Sequence, residues 1–478
     1  MTGGRLADHL ARRLDTDRDA PAVTGETTLT YGELAEHVDT VATSVAPFVS
    51  PGDVVALEVR SPALGLIAAL AADRLGVAYL PLDVSAPPPR RQWVLESSAA
   101  TALLRETGPL RLAAQPLGAG RPVVALTDPG YVIYTSGTTG RPKGVHVPKR
   151  SLVERLAGLL AVPGFPPGGS LLAMSALSFD MSIVETLLPL VAGGSMVTLD
   201  LAARRDAEVF GRAVRRFRPG VVQATPSFFR LMLASGWAGG SDLTVWCGGE
   251  AMTPEVAAAL HGCCREVWNL YGPTEACVWA SAWRFEPGRP ISLGTELPGT
   301  TVELVGAGGA VLTGVGAEGE IRISGAGIAD GYLAAPPGED DRFRSTPGTR
   351  SYLTGDRARR GPDGSLTFLG RNDNQVKVRG HRVELGEIES ALECHPAVTE
   401  AIAVLVGRDD PETARLAAVV VSRRRVAARD LRRWLADRLP APMIPQSIEI
   451  APALPRTSTG KLDRVRVQQV LDAGRLPT

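Results

Sequence analysis

From Tyr131 to Gly262 short β-rich runs alternate with helical ones, and that alternation restricts the fold more than any other feature of the chain. VIYT (132–135), LLAMS (171–175), SMVTL (195–199), VVQAT (221–225) and LTVWCGG (243–249) read as strands. A stretch opening at Ser182, then DAEVFGRAVRRF, PSFFRLMLA and TPEVAAALHG, read as the helices between and after them. Thr253 followed by Pro254 has the form of an N-cap and a first helical residue. Strands separated by helices at this spacing predict a mainly parallel sheet covered on both faces. An earlier βα series runs from Val54 to about Ala125, and residues 106–122, rich in Gly, Ala and Pro, read as a surface connection.

After Gly294 the pattern changes to short strands with glycine turns: TTVELVGAGGAVL, GEIRISG and GSLTFLG. Residues 371–383 are polar, and behind them come a helix over 385–394, strands near 400–407 and 416–422, and a helix over 427–439. The reading is an α/β fold in two domains. A large N-terminal domain spans 1–372, with a β-rich subdomain over about 294–372. A small α+β domain spans 373–478, with the boundary near Asp373. A chain of 478 residues also exceeds what one hydrophobic core supports.

Composition narrows the partners. Formal net charge is zero, which gives no sign of a nucleic-acid or anionic-membrane partner. The longest apolar run, Ala63 to Ala72, falls short of the ~20 residues that a membrane helix needs. The N-terminus mixes charges and has no signal-peptide core. Five cysteines without a CxxC pair predict reduced thiols, no zinc site and a cytoplasmic protein. Lysine and arginine total 51, yet only Lys143, Lys149, Lys377 and Lys461 are lysines, against 47 arginines. A lysine kept in so arginine-rich a chain is a candidate for work that a planar guanidinium does badly.

One loop carries chemistry on its face. YTSGTTGRPKG (134–144) follows a strand and gathers four Ser and Thr hydroxyls, three glycines and one lysine. Glycine turns expose consecutive backbone N–H groups to an anion, hydroxyls add donors, and a lysine adds charge. It is not a Walker A loop, because Pro142 precedes Lys143 and Gly144 follows it.

This loop resembles the phosphate loop of the adenylate-forming superfamily: acyl-CoA synthetases, luciferases and the adenylation domains of nonribosomal peptide synthetases. Other stretches resemble further motifs of that family, in family order. They are LTYGEL (29–34), LGVAYLPLD (75–83), NLYGPTE (269–275), GEIRISGAGIADGYL (319–333), YLTGD (352–356), GRNDNQVKVRGHRVELGEIE (370–389) and TGKLDR (459–464). Asp330 departs from the pattern, standing where arginine is usual.

The resemblance implies a reaction that joins a carboxylate to the α-phosphate of ATP and expels pyrophosphate. The acyl-adenylate is then attacked, usually by a phosphopantetheine thiol. It implies that Thr135, Ser136, Gly137, Thr138, Thr139 and Lys143 grip the phosphates, and that Glu275 is a Mg2+ ligand. Tyr271 would stack on adenine, with Gly249, Glu250, Ala251, Asn269 and Gly272 around the base. Asp356 would take the ribose hydroxyls with help from Arg371. Lys461 would reach the substrate carboxylate and the α-phosphate, and Thr139 and Glu275 would complete the catalytic set. Asp373 would be the hinge on which the small domain turns.

FDMS (179–182) resembles the stretch in amino-acid-activating members whose aspartate pairs with the substrate ammonium; a helix N-cap is the plainer reading of Asp180. The other pocket walls would be Met181, Val184, Gln223, Trp246, Gly248, Leu270, Val278 and Trp279, with Lys461 at the carboxylate. Two tryptophans and Met181 predict a shallow pocket for glycine, alanine or serine. The pattern Asp, Gln, Gly, Leu, Trp, Lys resembles glycine-activating domains, from which Trp246 and Met181 depart. The chain ends 17 residues after Lys461, so a carrier protein is expected in trans. The alternatives are transfer to an amine or to CoA, and a degenerate binding paralogue, against which intact Lys461, Glu275 and Asp356 argue.

Overall fold

The computed structural model describes residues 17–118, 125–137, 141–199, 206–333, 342–346, 349–378, 380–407, 414–456 and 462–473. They fall into two compact units. The first comprises Met1–Val84, Leu95–Ile133 and Gly144–Asn372; the second comprises Ser85–Val94, Tyr134–Lys143 and Asp373–Thr478.

Among the described residues the central sheet of the first unit has nine strands. Its order is Thr295–Glu296, Ser281–Arg284, Cys264–Tyr271, Gly240–Gly248, Val221–Ala224, Ser170–Ala173, Ser195–Thr198, Pro21–Gly25 and Leu29–Thr30. Pairing is parallel from Cys264–Tyr271 to Pro21–Gly25 and antiparallel at both edges. The expected helices lie between its parallel strands. Thr225 and Thr253 cap two of them, each followed by proline at the first position, and each hydroxyl accepts from the N–H three residues on. Strand alternation divides the core in two: Leu171, Trp246 and Leu270 face one helical layer, while Val222, Val245 and Val267 face another.

A second sheet has Val54–Glu58 and Ala78–Pro81 among its parallel strands. One correction falls at its edge. Part of the stretch expected as a surface connection, Arg111–Pro116, is a strand antiparallel to Ala102–Gly108. Leu112 and Ala114 alternate inward against the core, and the strand satisfies the hydrogen-bonding edge of its neighbour. A third, six-stranded antiparallel sheet is built from segments between Thr300 and Arg371.

In the second unit the strands Val398–Val406, Arg415–Ser422 and Ser447–Ala451 form a small sheet. Ala403 and Leu405 face the helices Leu385–Glu393 and Ala428–Ala436 through Ile388, Leu392, Leu431 and Leu435. Ile402 and Val404 face Val467 and Leu471 of the helix Arg464–Asp472. The sheet is therefore apolar on both faces, as its near-continuous hydrophobic runs require.

Candidate active site

Strand register brings together four of the expected pocket walls in the first unit. Gln223 lies beside Trp246, and Gly248 beside Leu270. Because side chains alternate, all four present to one face of the sheet. Trp279 arrives from the turn after Tyr271 and lies directly over Gly248. A Cβ at Gly248 would sit 2.6 Å from the indole and 2.5 Å from the Leu270 carbonyl oxygen. Only glycine fits there.

The polar groups of this cluster satisfy one another. Trp279 Nε1 donates to Gln223 Oε1 at 2.8 Å, and Gln223 Nε2 donates to the Met181 carbonyl at 3.0 Å and to Glu185 Oε1 at 3.3 Å. Glu185 is fully buried and also accepts from Met174 N, Ser175 N and Ser175 Oγ at 2.8, 2.7 and 2.6 Å. These partners fix the amide: its oxygen must face an indole donor and its nitrogen a carboxylate. Met181 and Val184 are buried one turn apart on the helix Met181–Val191.

Asp180 stands at the N-cap position of that helix, but its side chain makes no capping bond. Its Oδ2 accepts instead from Thr274 Oγ1 at 2.6 Å, and the residue is buried. The next residue after Thr274 is Glu275, also fully buried, whose Oε1 accepts from Tyr332 Oη at 2.8 Å. Two adjacent residues thus join the Asp180 carboxylate to the Glu275 carboxylate.

A third cluster is formed by Tyr271, Asp356 and Arg371. Tyr271 Oη donates to Asp356 Oδ2 at 2.6 Å and Arg371 Nη1 donates to Oδ1 at 2.5 Å. Asp356 and Arg371 are cross-strand partners in the antiparallel sheet. Burial, reinforced by Asp356, pushes the Tyr271 phenol well above its ordinary range. Gly272 is required by close approach, since a Cβ there would meet the Val278 carbonyl at 2.4 Å.

Other expected residues have local roles. Asn269, by alternation, turns to the face opposite Leu270, and its amide donates to the Ser292 carbonyl at 2.7 Å. Glu250 Oε2 accepts from Ser227 N at the start of the helix Pro226–Ala234. Gly249 takes φ +81 beside Met181, and Ala251 is exposed. Thr135, Ser136, Gly137 and Lys143 belong to the second unit, where Ser136 Oγ donates to the Arg382 carbonyl at 2.9 Å. Gly137 approaches the Arg141 carbonyl so closely that a Cβ would lie 2.0 Å from its oxygen. Asp373 Oδ1 accepts from Gln375 N at 3.2 Å. Thr138, Thr139 and Lys461 lie outside the described residues.

Two buried charges near these clusters had no part in the sequence reading. Glu185 is one. Another is Arg155, 1% exposed, whose Nη1 donates to Thr300 Oγ1 at 2.9 Å and Nη2 to the Ala276 carbonyl at 3.2 Å. It holds a turn in which Cys277 and Val278 both have positive φ, +57 and +72, a costly conformation for a β-branched residue. Gly327 makes room for the guanidinium, since a Cβ there would lie 2.2 Å from Nη2. The only sequence signals were a polar residue four after Ser151 on one helix face and an unexplained glycine. Asp330, the departure from the family pattern, pairs with Arg150 and faces His146 Nδ1 at 3.8 Å.

Among the described residues no group of three or more His, Cys, Asp or Glu is arranged to hold a metal. A single buried carboxylate at Glu275 fits a Mg2+ ion that takes its remaining ligands from phosphates and water. No helix among the described residues is long and apolar enough to cross a membrane.

Residues 10–119 and 114–333 match the model of the AMP-binding enzyme family, and residues 387–461 match that of the AMP-binding enzyme C-terminal domain. The phosphinothricin tripeptide synthetase PhsC of Streptomyces viridochromogenes is 37% identical over 497 residues, covering 96% of this chain and 44% of the relative. A dimodular nonribosomal peptide synthase of Bacillus subtilis is 35% identical over 465 residues, covering 91% and 19%. The chain spans less than half the length of these relatives. Among solved structures, a four-domain nonribosomal peptide synthetase, holo-AB3403 bound to AMP and glycine, superposes with a TM-score of 0.70 at 33% identity, covering 97% of this chain and 36% of that one. The matched segments and the assembled clusters lead to one conclusion: the chain belongs to the AMP-binding enzyme family, within the adenylate-forming superfamily that includes the adenylation domains of nonribosomal peptide synthetases.

Proposed function

We propose that the chain activates a small amino acid (glycine, alanine or serine) with ATP. The substrate carboxylate oxygen bonds to the α-phosphorus as the bond to pyrophosphate breaks, giving an aminoacyl-AMP. The phosphopantetheine thiol of a carrier protein acting in trans then attacks the acyl carbon, and AMP leaves. The observation that carries this reading is Trp279, tied to Gln223 and lying over Gly248; on this reading it closes the pocket floor to a long side chain. Asp180, buried and not used as a helix cap, is the partner for the substrate ammonium.

In this reading Tyr271, Asp356 and Arg371 receive adenosine, with Gly249, Glu250, Ala251, Asn269 and Gly272 around the base. The loop residues Thr135, Ser136, Gly137, Thr138, Thr139 and Lys143 hold the phosphates. Mg2+ bound with ATP supplies charge neutralisation at the phosphates, and Glu275 orients it. Lys461 stabilises charge between carboxylate and α-phosphate. Asp373 is the pivot of the domain carrying it, over 373–478, and residues 1–372 hold the substrate sites.

Substrate-dependent ATP–pyrophosphate exchange tests the reading across the twenty amino acids, β-alanine, benzoate and a medium-chain fatty acid. Exchange peaking at glycine, alanine or serine is expected. A peak at a large side chain, or at an acid lacking an α-amino group, refutes it. Thioester formation on a carrier rather than on CoA, or amide formation with an amine, decides the acceptor.

A further inference from the structure

The second unit carries a concentration of charge that its own fold does not use. The loop leaving the strand Arg415–Ser422 holds Arg423, Arg424 and Arg425, and the helix Ala428–Ala436 adds Arg429, Arg432 and Arg433. All six are exposed. Within residues 423–433 the only acid is Asp430, in a chain whose formal net charge is zero. Elsewhere, exposed arginines commonly end on a carboxylate: Arg18 on Glu36, Arg212 on Glu208, Arg218 on Asp242, Arg289 on Asp363. Here the one ion pair within 4.0 Å is Arg429 with its neighbour Asp430, at 3.9 Å. The side chains of Arg423, Arg424, Arg425, Arg432 and Arg433 form no ion pair with any described residue.

The helix does not need these charges for stability. It is anchored by Leu431 and Leu435, both fully buried, and by Trp434, whose indole N–H donates to the Ala391 carbonyl at 2.8 Å. Five unpaired like charges over two consecutive elements repel one another, a repulsion that an acidic partner would relieve.

We infer that this face, Arg423–Arg425 with Arg429, Arg432 and Arg433, is a docking surface for an acidic protein, and that the protein is the carrier that receives the aminoacyl group. The inference rests on the proposed transfer to a carrier. It adds where that carrier is engaged and the sign of its surface. The six side chains are exposed rather than recessed, unlike the converging donors that chelate a lone phosphate; three lie on the loop after Ser422 and three on the helix Ala428–Ala436. A spread over two consecutive elements matches a macromolecular face better than a nucleotide thiol. A carrier must bind, accept and leave on every turnover, and exposed charge speeds encounter without a slow release.

The test uses the full chain and its triple variant Arg425→Glu, Arg429→Glu, Arg433→Glu. Several holo peptidyl-carrier domains of acidic net charge serve as acceptors, alongside free pantetheine and CoA. Amino-acid-dependent pyrophosphate exchange should stay within twofold of the parent, because none of these residues lies in the adenylation site. Loading of at least one acidic carrier should fall about tenfold or more in kcat/KM at low salt, and the gap should close at high salt. Pantetheine should react equally with both proteins. Equal loading of the carriers by parent and variant overturns the inference, as does failure of the parent to load any acidic carrier faster than pantetheine. A loss confined to CoA also overturns it and assigns the patch to a nucleotide thiol. Failure of the exchange assay in the parent would sink the amino-acid reading itself, which separates the two outcomes.

Discussion

The hydrogen bond between Trp279 and Gln223 should be energetically coupled and should set substrate size. Trp279→Phe removes the indole donor and leaves Gln223 Oε1 facing a ring, at a residue with no solvent exposure. An orphaned buried acceptor costs about 1–3 kcal/mol. Gln223→Leu does the converse and strands the indole N–H; it also strips a donor from Glu185 and from the Met181 carbonyl. Those last losses occur with or without Trp279, so they cancel in a double-mutant cycle. The double variant has neither orphan, and the coupling should be about 1–2 kcal/mol. Urea unfolding of the four proteins measures it. The same four proteins, assayed by exchange with glycine and valine, report the pocket. Phenylalanine lacks the outer ring that covers Gly248, and the glycine-to-valine ratio of kcat/KM should fall about tenfold. Stabilities additive to within about 0.5 kcal/mol, together with an unchanged ratio, would refute the idea that this bond closes the floor.

Three further outcomes follow from the site. Asp180→Asn removes the charge while keeping an acceptor for Thr274 Oγ1, so the amino-acid KM should rise at least about tenfold with ATP KM unaltered; equal changes in both would mean a structural role. Lys461→Ala should lower exchange by about 10²-fold or more yet spare transfer from supplied aminoacyl-adenylate, and parallel losses in the two half-reactions would contradict its role in the first. His146 is held below its ordinary value of 6.5 by burial, with Arg150 acting in the same sense and Asp330 and Asp128 opposing. The native state then binds fewer protons than the unfolded chain, so its contribution is intact above 6.5 and is lost as pH falls below that value. His146→Gln should flatten the urea stability curve below 6.5, and parallel curves for the two proteins would remove the imidazole from the account.

Motif order alone pointed to the family, and three residues that the motifs grouped, Tyr271, Asp356 and Arg371, do meet. The helix cap at Thr253 was readable because capping is local, reaching only to Val256. Arg111–Pro116 was misread as connection because its strand character comes from pairing with Ala102–Gly108, not from its own composition. Asp180 shows the same limit in the site. Its position before a helix makes an N-cap plausible, but a hydroxyl 94 residues away takes the carboxylate.

What the sequence by itself determined is therefore the local and the ordered: the βα alternation, the glycine-rich loop that follows a strand and the succession of family motifs. Tertiary structure alone decided which polar groups satisfy one another. Gln223 bonds Glu185 and Trp279 across separations of 38 and 56 residues, and Arg155 reaches Ala276 across 121. A buried polar group must find a partner wherever the fold supplies one, and no local pattern of residues encodes that address.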